Sequence, residues 1–339
     1  MNVLLTGGMG YIGSHTALRL IEQGHQVTIF DNLTNSNASV LNSIQSISLT
    51  KPNFVQGDIL DTAIVENTLN KFKINAVIHL AGLKAVGESV LTPLSYYKNN
   101  VQGTISLLDA MLSCNIGTLV FSSSATVYGA PTHLPITEEH PTDPNNPYGR
   151  TKLYIEKILM DTAQSNKDWN VINLRYFNPV GSHPSGLIGD SPNGIPNNLM
   201  PYINQVASKL RPFLNIFGDD YITPDGTGVR DYIHIEDLSD AHLDALNWIH
   251  DLQKDTTTNV STFNIGTGLG YSVLDIIKAY EKINNLEIPY RITSRRKGDI
   301  ASSYADPTKA NSVLGWKASR TLEDMCYSAW NFQKINNLK

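Results

Sequence analysis

The sequence predicts an α/β protein, with a doubly wound parallel sheet in a larger lobe and a smaller mixed α/β lobe beside it. Three observations carry this reading. Short apolar runs alternate with longer stretches of helical periodicity through the first half of the chain, the pattern of β-α-β units whose sheet is covered by helices on both faces. After Arg175 the chain becomes rich in Pro, Gly and Asn and dense in turn signals, and order returns only at Asp231. At the start, the apolar run Val3–Thr6 leads directly into Gly7-Gly8-Met9-Gly10-Tyr11-Ile12-Gly13. This is a glycine turn between a strand and a helix, so the large lobe reads as Rossmann-like.

Taken in order, Val3–Thr6, Gln26–Phe30, Phe54–Gln56, Ala76–Leu80, Leu119–Ser122 and Val171–Arg175 read as buried strands. Ile12–Gln23, Asp61–Lys71, Ser95–Cys114 and Tyr148–Gln164 have the apolar spacing and length of helices, and Gly24 stops the first of them. Asp231–Ile235 and a helix from Asp237 to about Asp251 follow, then a polar loop, Gln253–Asn259, and a mixed α/β tail to Lys339. Residues 1–177 and 231–261 are expected to form the dinucleotide lobe, and residues 178–230 and 262–339 the substrate lobe. The cleft between them is the expected active site, since ligands prefer domain interfaces and the carboxyl ends of parallel strands.

Composition narrows the function. With 339 residues, 41% of them hydrophobic and 17% charged, the chain is an ordinary globular one, long enough for a sizeable core. A net charge of −5 gives no reason to expect nucleic acid or an anionic membrane as partner. The N-terminus runs straight into the first strand and turn, unlike a secretory or transit segment. No apolar stretch is long enough to span a membrane. Cys114 and Cys326 are too few for a disulfide framework and lack metal-ligand spacing, so no metal is expected and a reducing cytoplasm fits.

The glycine turn predicts a cofactor site. Missing side chains let the backbone approach a pyrophosphate, whose charge meets the N-terminus of the following helix. Gly7, Gly10, Tyr11, Ile12 and Gly13 are its members. Asp31 ends the second strand, where a carboxylate accepts hydrogen bonds from ribose hydroxyls and repels a 2′-phosphate, favouring NAD over NADP. Asp58, in Gly57-Asp58-Ile59 after the third strand, is placed to reach the adenine or to cap a turn. Leu80-Ala81-Gly82-Leu83-Lys84 leaves the fourth strand with two small residues for close approach and one positive charge.

Chemistry is carried by Tyr148-Gly149-Arg150-Thr151-Lys152, which follows the run Ser122, Ser123 and Ser124. Residues four apart share a helix face, so the Lys152 ammonium can lie near the Tyr148 phenol. A neighbouring positive charge lowers a phenol pKa from its reference of roughly 10 and prepares it as a general base.

With these pieces in one order, the chain resembles the UDP-glucose 4-epimerases of the extended short-chain dehydrogenase/reductase family. The resemblance runs over essentially the whole length. Its most specific stretches are Arg175-Tyr176-Phe177-Asn178-Pro179-Val180-Gly181 and Ile195-Pro196-Asn197-Asn198-Leu199. It implies an isomerase in which Tyr148 takes the proton of the sugar 4-hydroxyl while C4 passes a hydride to tightly held NAD. The 4-keto sugar then turns and takes the hydride back on its other face. Ser124 is implied to hydrogen-bond the reacting oxygen and help shuttle the proton, and Lys152 to bind the nicotinamide ribose and, together with the positive nicotinamide, to lower the Tyr148 pKa. The resemblance adds Asn32, Asn35, Ser36, Ile59, Asn99 and Phe177 to the NAD contacts. For the UDP-hexose it implies Arg230 and Arg296 on the diphosphate and Asn178, Asn198 and Leu199 along the diphosphate and sugar. Asn215, Ile216 and Phe217 fall at the uracil, and Asp299 at the ribose. Ser303 stands where the family borders the hexose C2 substituent. A small residue there goes with acceptance of UDP-N-acetylglucosamine and UDP-N-acetylgalactosamine as well as the plain sugars.

Rival readings remain on the same scaffold. A nucleotide-sugar dehydratase places an acidic pair after the catalytic hydroxyl, whereas Ala125-Thr126 follow Ser124 here. A non-catalytic NAD sensor has no need of Ser124, Tyr148 and Lys152 together. The family resemblance also implies a homodimer, built by packing the helices near Ser95–Cys114 and Tyr148–Gln164 into a four-helix bundle.

Overall fold

The computed structural model describes residues 1–192, 194–251, 259–296 and 298–337. The larger lobe opens with β1 (Asn2–Thr6), α1 (Tyr11–Glu22), β2 (Gln26–Asp31), α2 (Val40–Ser48), β3 (Asn53–Gln56), α3 (Thr62–Lys71) and β4 (Ala76–His79). Then come α4 (Val86–Leu91), α5 (Pro93–Tyr96), a π-helical segment (Tyr97–Gln102), α6 (Gly103–Ser113), β5 (Thr118–Ser124), α7 (Pro147–Ser165) and β6 (Asn170–Tyr176). The remainder comprises β7 (Asn178–Val180), α8 (Leu199–Ala207), β8 (Leu214–Phe217), β9 (Val229–His234), α9 (Ile235–Asp251), β10 (Val260–Ile265) and β11 (Gly270–Ser272). It ends with α10 (Val273–Asn284), β12 (Tyr290–Thr293), β13 (Ser302–Ser303) and α11 (Leu322–Asn337).

A seven-stranded parallel sheet in the order β10-β6-β5-β4-β1-β2-β3 forms the frame. Alternation along its strands sorts the core onto two faces. Val3 and Leu5 pack on the side of α1 and α9 with Leu238, Ala241 and Leu246, while Leu4 turns to α3, α6 and α7 with Leu107, Ile155 and Leu159. The order reverses between β1 and β4, and at such a switch point the loops after the strands diverge and leave a crevice. In the smaller lobe, β9 pairs with β7, β11 and β13, a β8–β12 pair lies beside it, and α8, α10 and α11 close a separate core around Ile203, Ile276 and Met325.

Three expectations need correction. The boundary expected at 261/262 falls inside β10, which pairs with β6 through Ile265; six residues in continuous register with β6 make it one strand of the large sheet. The helix expected over Ser95–Cys114 is interrupted by the π-helical turn, whose extra residue turns Asn100 inward. Helices over Val40–Ser48 and Val86–Leu91 were not anticipated; each buries a single residue, Ile44 and Ser89, so the apolar period is weak. The polar loop Gln253–Asn259 lies, apart from Asn259, outside the described residues. Among the described residues no helix is long and apolar enough to cross a membrane.

Candidate active site

At the switch point the glycine turn is held by backbone contacts. Gly7 N–H donates to the Phe30 carbonyl at 2.8 Å and Gly10 N–H to the Gly7 carbonyl at 3.1 Å. Gly7 adopts φ +70°, and a Cβ there would meet the Ala81 nitrogen at 2.7 Å, so the β1 and β4 loops touch only because the side chain is missing. A Cβ on Gly13 would lie 2.3 Å from the Gly7 carbonyl oxygen. Beside Gly10 only that same oxygen comes near, at 3.3 Å. Its outer face is open, and α1 begins there with no side-chain cap and no acidic residue in its first turn. An open, donor-rich helix start of this kind fits a pyrophosphate.

Asp31 is fixed at the end of β2 by Met9 N–H at 3.0 Å, Leu33 N–H at 2.9 Å and the Ser36 hydroxyl at 2.8 Å. Asn32 donates to Asp58 at 3.3 Å, and Asn35 is exposed on the same rim. Leu80, Ala81 and Gly82 line the opposite loop, with Lys84 exposed beyond them. These residues fit a dinucleotide draped over the carboxyl ends of β1, β2 and β4. Ile12 and Ile59 differ from the rest of the predicted set. Ile12 packs its side chain against the core and Ile59 is buried in it, which leaves their backbones to face a ligand. Phe177 is likewise buried, against Val127, Tyr128, Ile136 and Ala305. Asn99 donates to Asn100 at 3.0 Å.

Ser124 ends β5 and Tyr148 and Lys152 stand on the first turns of α7, whose start is capped by Asn146 and primed by Pro147. The Ser124 hydroxyl accepts from Thr126 N–H at 3.2 Å and Thr126 Oγ1 at 2.9 Å. Ser124 also lies within hydrogen-bonding reach of the Tyr148 phenol, a contact that favours the ionised form. Lys152 donates to the Ser122 carbonyl at 2.6 Å, lies 4.8 Å from the Phe121 ring and 5.9 Å from the Tyr148 ring. Burial pushes the lysine down to about 8, opposed by the Glu156 carboxylate. Beneath it, His79 is pushed to about 3 by burial and by Lys152, and bonds Thr6 and Thr104 as a neutral ring.

One electrostatic expectation is reversed. Burial pushes the Tyr148 phenol up, and only the Ser124 hydrogen bond opposes it. The ammonium is turned to the Ser122 carbonyl, so the chain alone leaves the tyrosine protonated near neutral pH.

Across the cleft, Asn198 and Leu199 form the start of α8, which lacks a side-chain cap. Lys84 and Ala85 face Asn197, Asn198 and Pro201 over an opening of about 370 Å³. Asn178 is exposed at the start of β7. Arg296 stacks on Phe217 at 4.8 Å and pairs with Asp299 at 2.9 Å. Arg230 donates to its neighbour's carbonyl at 2.8 Å. Asn215 accepts from Arg291 at 2.7 Å, leaving its backbone free to face a base, while Ile216 is core. Ser303 pairs in register with Arg230. The next residue, Tyr304, turns the opposite way toward Gly270, where a Cβ would meet it at 3.0 Å.

The sequence reading did not find Asn100. Its amide accepts from Leu83 N–H at 2.8 Å and donates to the Leu83 carbonyl at 3.0 Å and to Thr151 at 3.1 Å, tying the β4 loop to α7. The Asn99-Asn100 doublet was the only signal. Thr126, which orients Ser124, was likewise missed.

A family profile described as GDP-mannose 4,6 dehydratase matches residues 4–329. The chain is 52% identical to a UDP-glucose 4-epimerase of Dictyostelium discoideum over 98% of this chain and 96% of that one. Among solved structures it is similar to a UDP-glucose-4-epimerase of Stenotrophomonas maltophila with bound NAD and formylated UDP-arabinopyranose. That match has a TM-score of 0.97 at 50% identity and covers 100% of this chain and 99% of the other. A UDP-glucose 4-epimerase of Bifidobacterium longum in complex with NAD+ and UDP gives a TM-score of 0.94 at 48% identity, covering 99% of each chain.

Proposed function

The chain belongs to the UDP-glucose 4-epimerases of the extended short-chain dehydrogenase/reductase family, and from this premise we propose that it interconverts UDP-galactose and UDP-glucose, with Ser124, Tyr148 and Lys152 as the catalytic set. The cofactor is NAD; when bound it supplies the acceptor and donor of a hydride at the sugar C4. Gly7, Gly10 and Gly13 give it backbone approach, Asp31 takes its ribose, and Ala81 and Gly82 leave it room. The observation that carries the reading is the convergence of Ser124 at the end of β5 with Tyr148 and Lys152 on the first turns of α7, Ser124 within hydrogen-bonding reach of the phenol and Lys152 5.9 Å from its ring. The Ser124 hydroxyl can donate to a phenolate formed at Tyr148 and so stabilise it. Tyr148 then accepts the 4-hydroxyl proton and returns it after the 4-keto sugar has turned. Arg230, Arg296 and the open start of α8 hold the diphosphate through that turn, since charged forks and helix N-termini both suit phosphate. Ala125-Thr126 after Ser124 offers no acid for elimination, which disfavours a dehydratase despite the breadth of the family profile.

Acceptance of N-acetylated sugars rests on Ser303, a small side chain on the opposite face from Tyr304. Proton NMR of the purified protein with UDP-galactose and UDP-N-acetylgalactosamine, no NAD added, reads both conversions. Ser303→Tyr is expected to lower turnover of the N-acetylated sugar roughly 10–200-fold relative to the plain one, the scale of discrimination a steric pocket change supports. Equal effects on both sugars would remove Ser303 as the gate.

The homodimer proposed by family resemblance is supported by apolar side chains exposed on the two helical stretches it would use, among them Ile105, Leu112, Tyr154 and Met160. Light scattering should give twice the 37.4 kDa chain mass. Two free cysteines are consistent with a cytoplasmic location.

A further inference from the structure

We infer that Tyr221 is a substrate-positioning residue whose hydroxyl donates a hydrogen bond to a diphosphate oxygen of the nucleotide, an inference that rests on the UDP-sugar reading of the smaller lobe. Tyr221 is only 7% exposed, yet its hydroxyl has no hydrogen-bond partner among the described residues. A buried hydroxyl without a partner is costly, and one that persists calls for an explanation. The ring cannot turn to find a partner. Gly218, at φ +88°, presents bare backbone on one face, where even a Cβ would come within 2.8 Å of the ring. The Arg295 guanidinium lies over the ring at 4.1 Å and is itself tied to Asp220 at 2.6 Å. Backbone bonds fix the segment as well, with Tyr221 N–H on the Gly226 carbonyl at 2.9 Å and Thr223 N–H on the Tyr221 carbonyl at 2.8 Å.

The charges acting on the hydroxyl are Asp299, Arg295, Arg230 and Arg296. The arginines are donors only, and Asp299 already serves Arg296. The cluster is therefore short of free acceptors: both of its carboxylates are engaged, Asp220 by Arg295 and Asp299 by Arg296, and neither bonds the phenol. An anionic oxygen supplied by the ligand meets the arginines and the phenol together. Burial holds the phenol above its ordinary pKa, which keeps it a donor at neutral pH.

Tyr221→Phe keeps the ring and its stacking, so the holoenzyme is expected to fold unchanged. The expected result is a rise of about three- to tenfold in KM for UDP-galactose and in the inhibition constant of UDP, the scale of one hydrogen bond. The loss falls on KM rather than kcat, as for a contact made equally in ground and transition states. Uridine, which lacks the phosphates, should bind wild type and variant alike. Unchanged UDP affinity in Tyr221→Phe overturns the inference, and an equal loss with uridine overturns the assignment to the diphosphate. Failure of the wild-type enzyme to bind UDP would instead overturn the reading of the lobe itself.

Discussion

Tyr148→Phe should lower epimerisation by about 10²–10⁴-fold, the usual worth of a positioned acid–base group, while UDP still binds. The substitution deletes one oxygen and keeps the ring at the start of α7. What disappears is the phenolic oxygen within reach of Ser124; Ser124 itself stays held by Thr126. No second group replaces it. Lys152 is bound to the Ser122 carbonyl at 2.6 Å, and His79 uses both ring nitrogens on Thr6 and Thr104. Anomeric NMR signals measure turnover and titration calorimetry measures UDP affinity. Turnover within tenfold of wild type would exclude Tyr148 as the base.

Glu156→Gln is expected to cost about 3–5 kcal/mol of stability, the penalty for stripping one partner from a buried ion pair. The carboxylate takes two bonds from Arg175, at 3.0 and 2.7 Å, and a further bond from Ser123. It also stands one turn beyond Lys152 on the same helix face. The double variant Glu156→Gln/Arg175→Met removes both charges and should recover much of the loss in urea unfolding. A pH effect should survive in it. Glu156 opposes the burial that pushes Lys152 down to about 8. Without that carboxylate the ammonium is less favoured, and the alkaline fall in activity moves to lower pH. The stability term has a definite sign. Between about 8 and the ordinary 10.5 the unfolded chain keeps a proton that the folded lysine has shed, so stability from this group rises with pH there. A double variant with the wild-type activity profile would show that Glu156 does not tune Lys152.

The residues legible in the sequence were those whose neighbours in the chain are also their neighbours in space. The glycine turn, Asp31 at a strand end, and the Tyr148–Lys152 helix turn all fall in this class. Asn100, Glu156 and Tyr221 do not. Asn100 acts on Leu83 through a π-helical turn that no apolar period announces, and Glu156 meets Arg175 and Ser123 only once two strands and a helix have assembled. Tyr221 looks like an ordinary turn residue until Gly218 and Arg295 close over it. In the smaller lobe β13 has two residues and owes its existence to β9, so no local signal could mark it. The Tyr148 electrostatics were misjudged for a related reason. Spacing brings an ammonium near, but where it points is set by the Ser122 carbonyl on another strand.

The position of β10 bears on how the protein is made. This strand completes the large sheet beside β6, yet residues 177–259 lie between them in the chain. A ribosome adding about 5–20 residues per second would leave the β6 edge uncovered for on the order of 4–16 s after β6 has emerged. During that interval Ile172 and Leu174, fully buried in the finished protein, lie along a strand edge open to pairing with other chains. Nascent chains stalled before Val260 should therefore be the aggregation-prone ones, and chaperone demand should fall once Ile265 has cleared the exit tunnel.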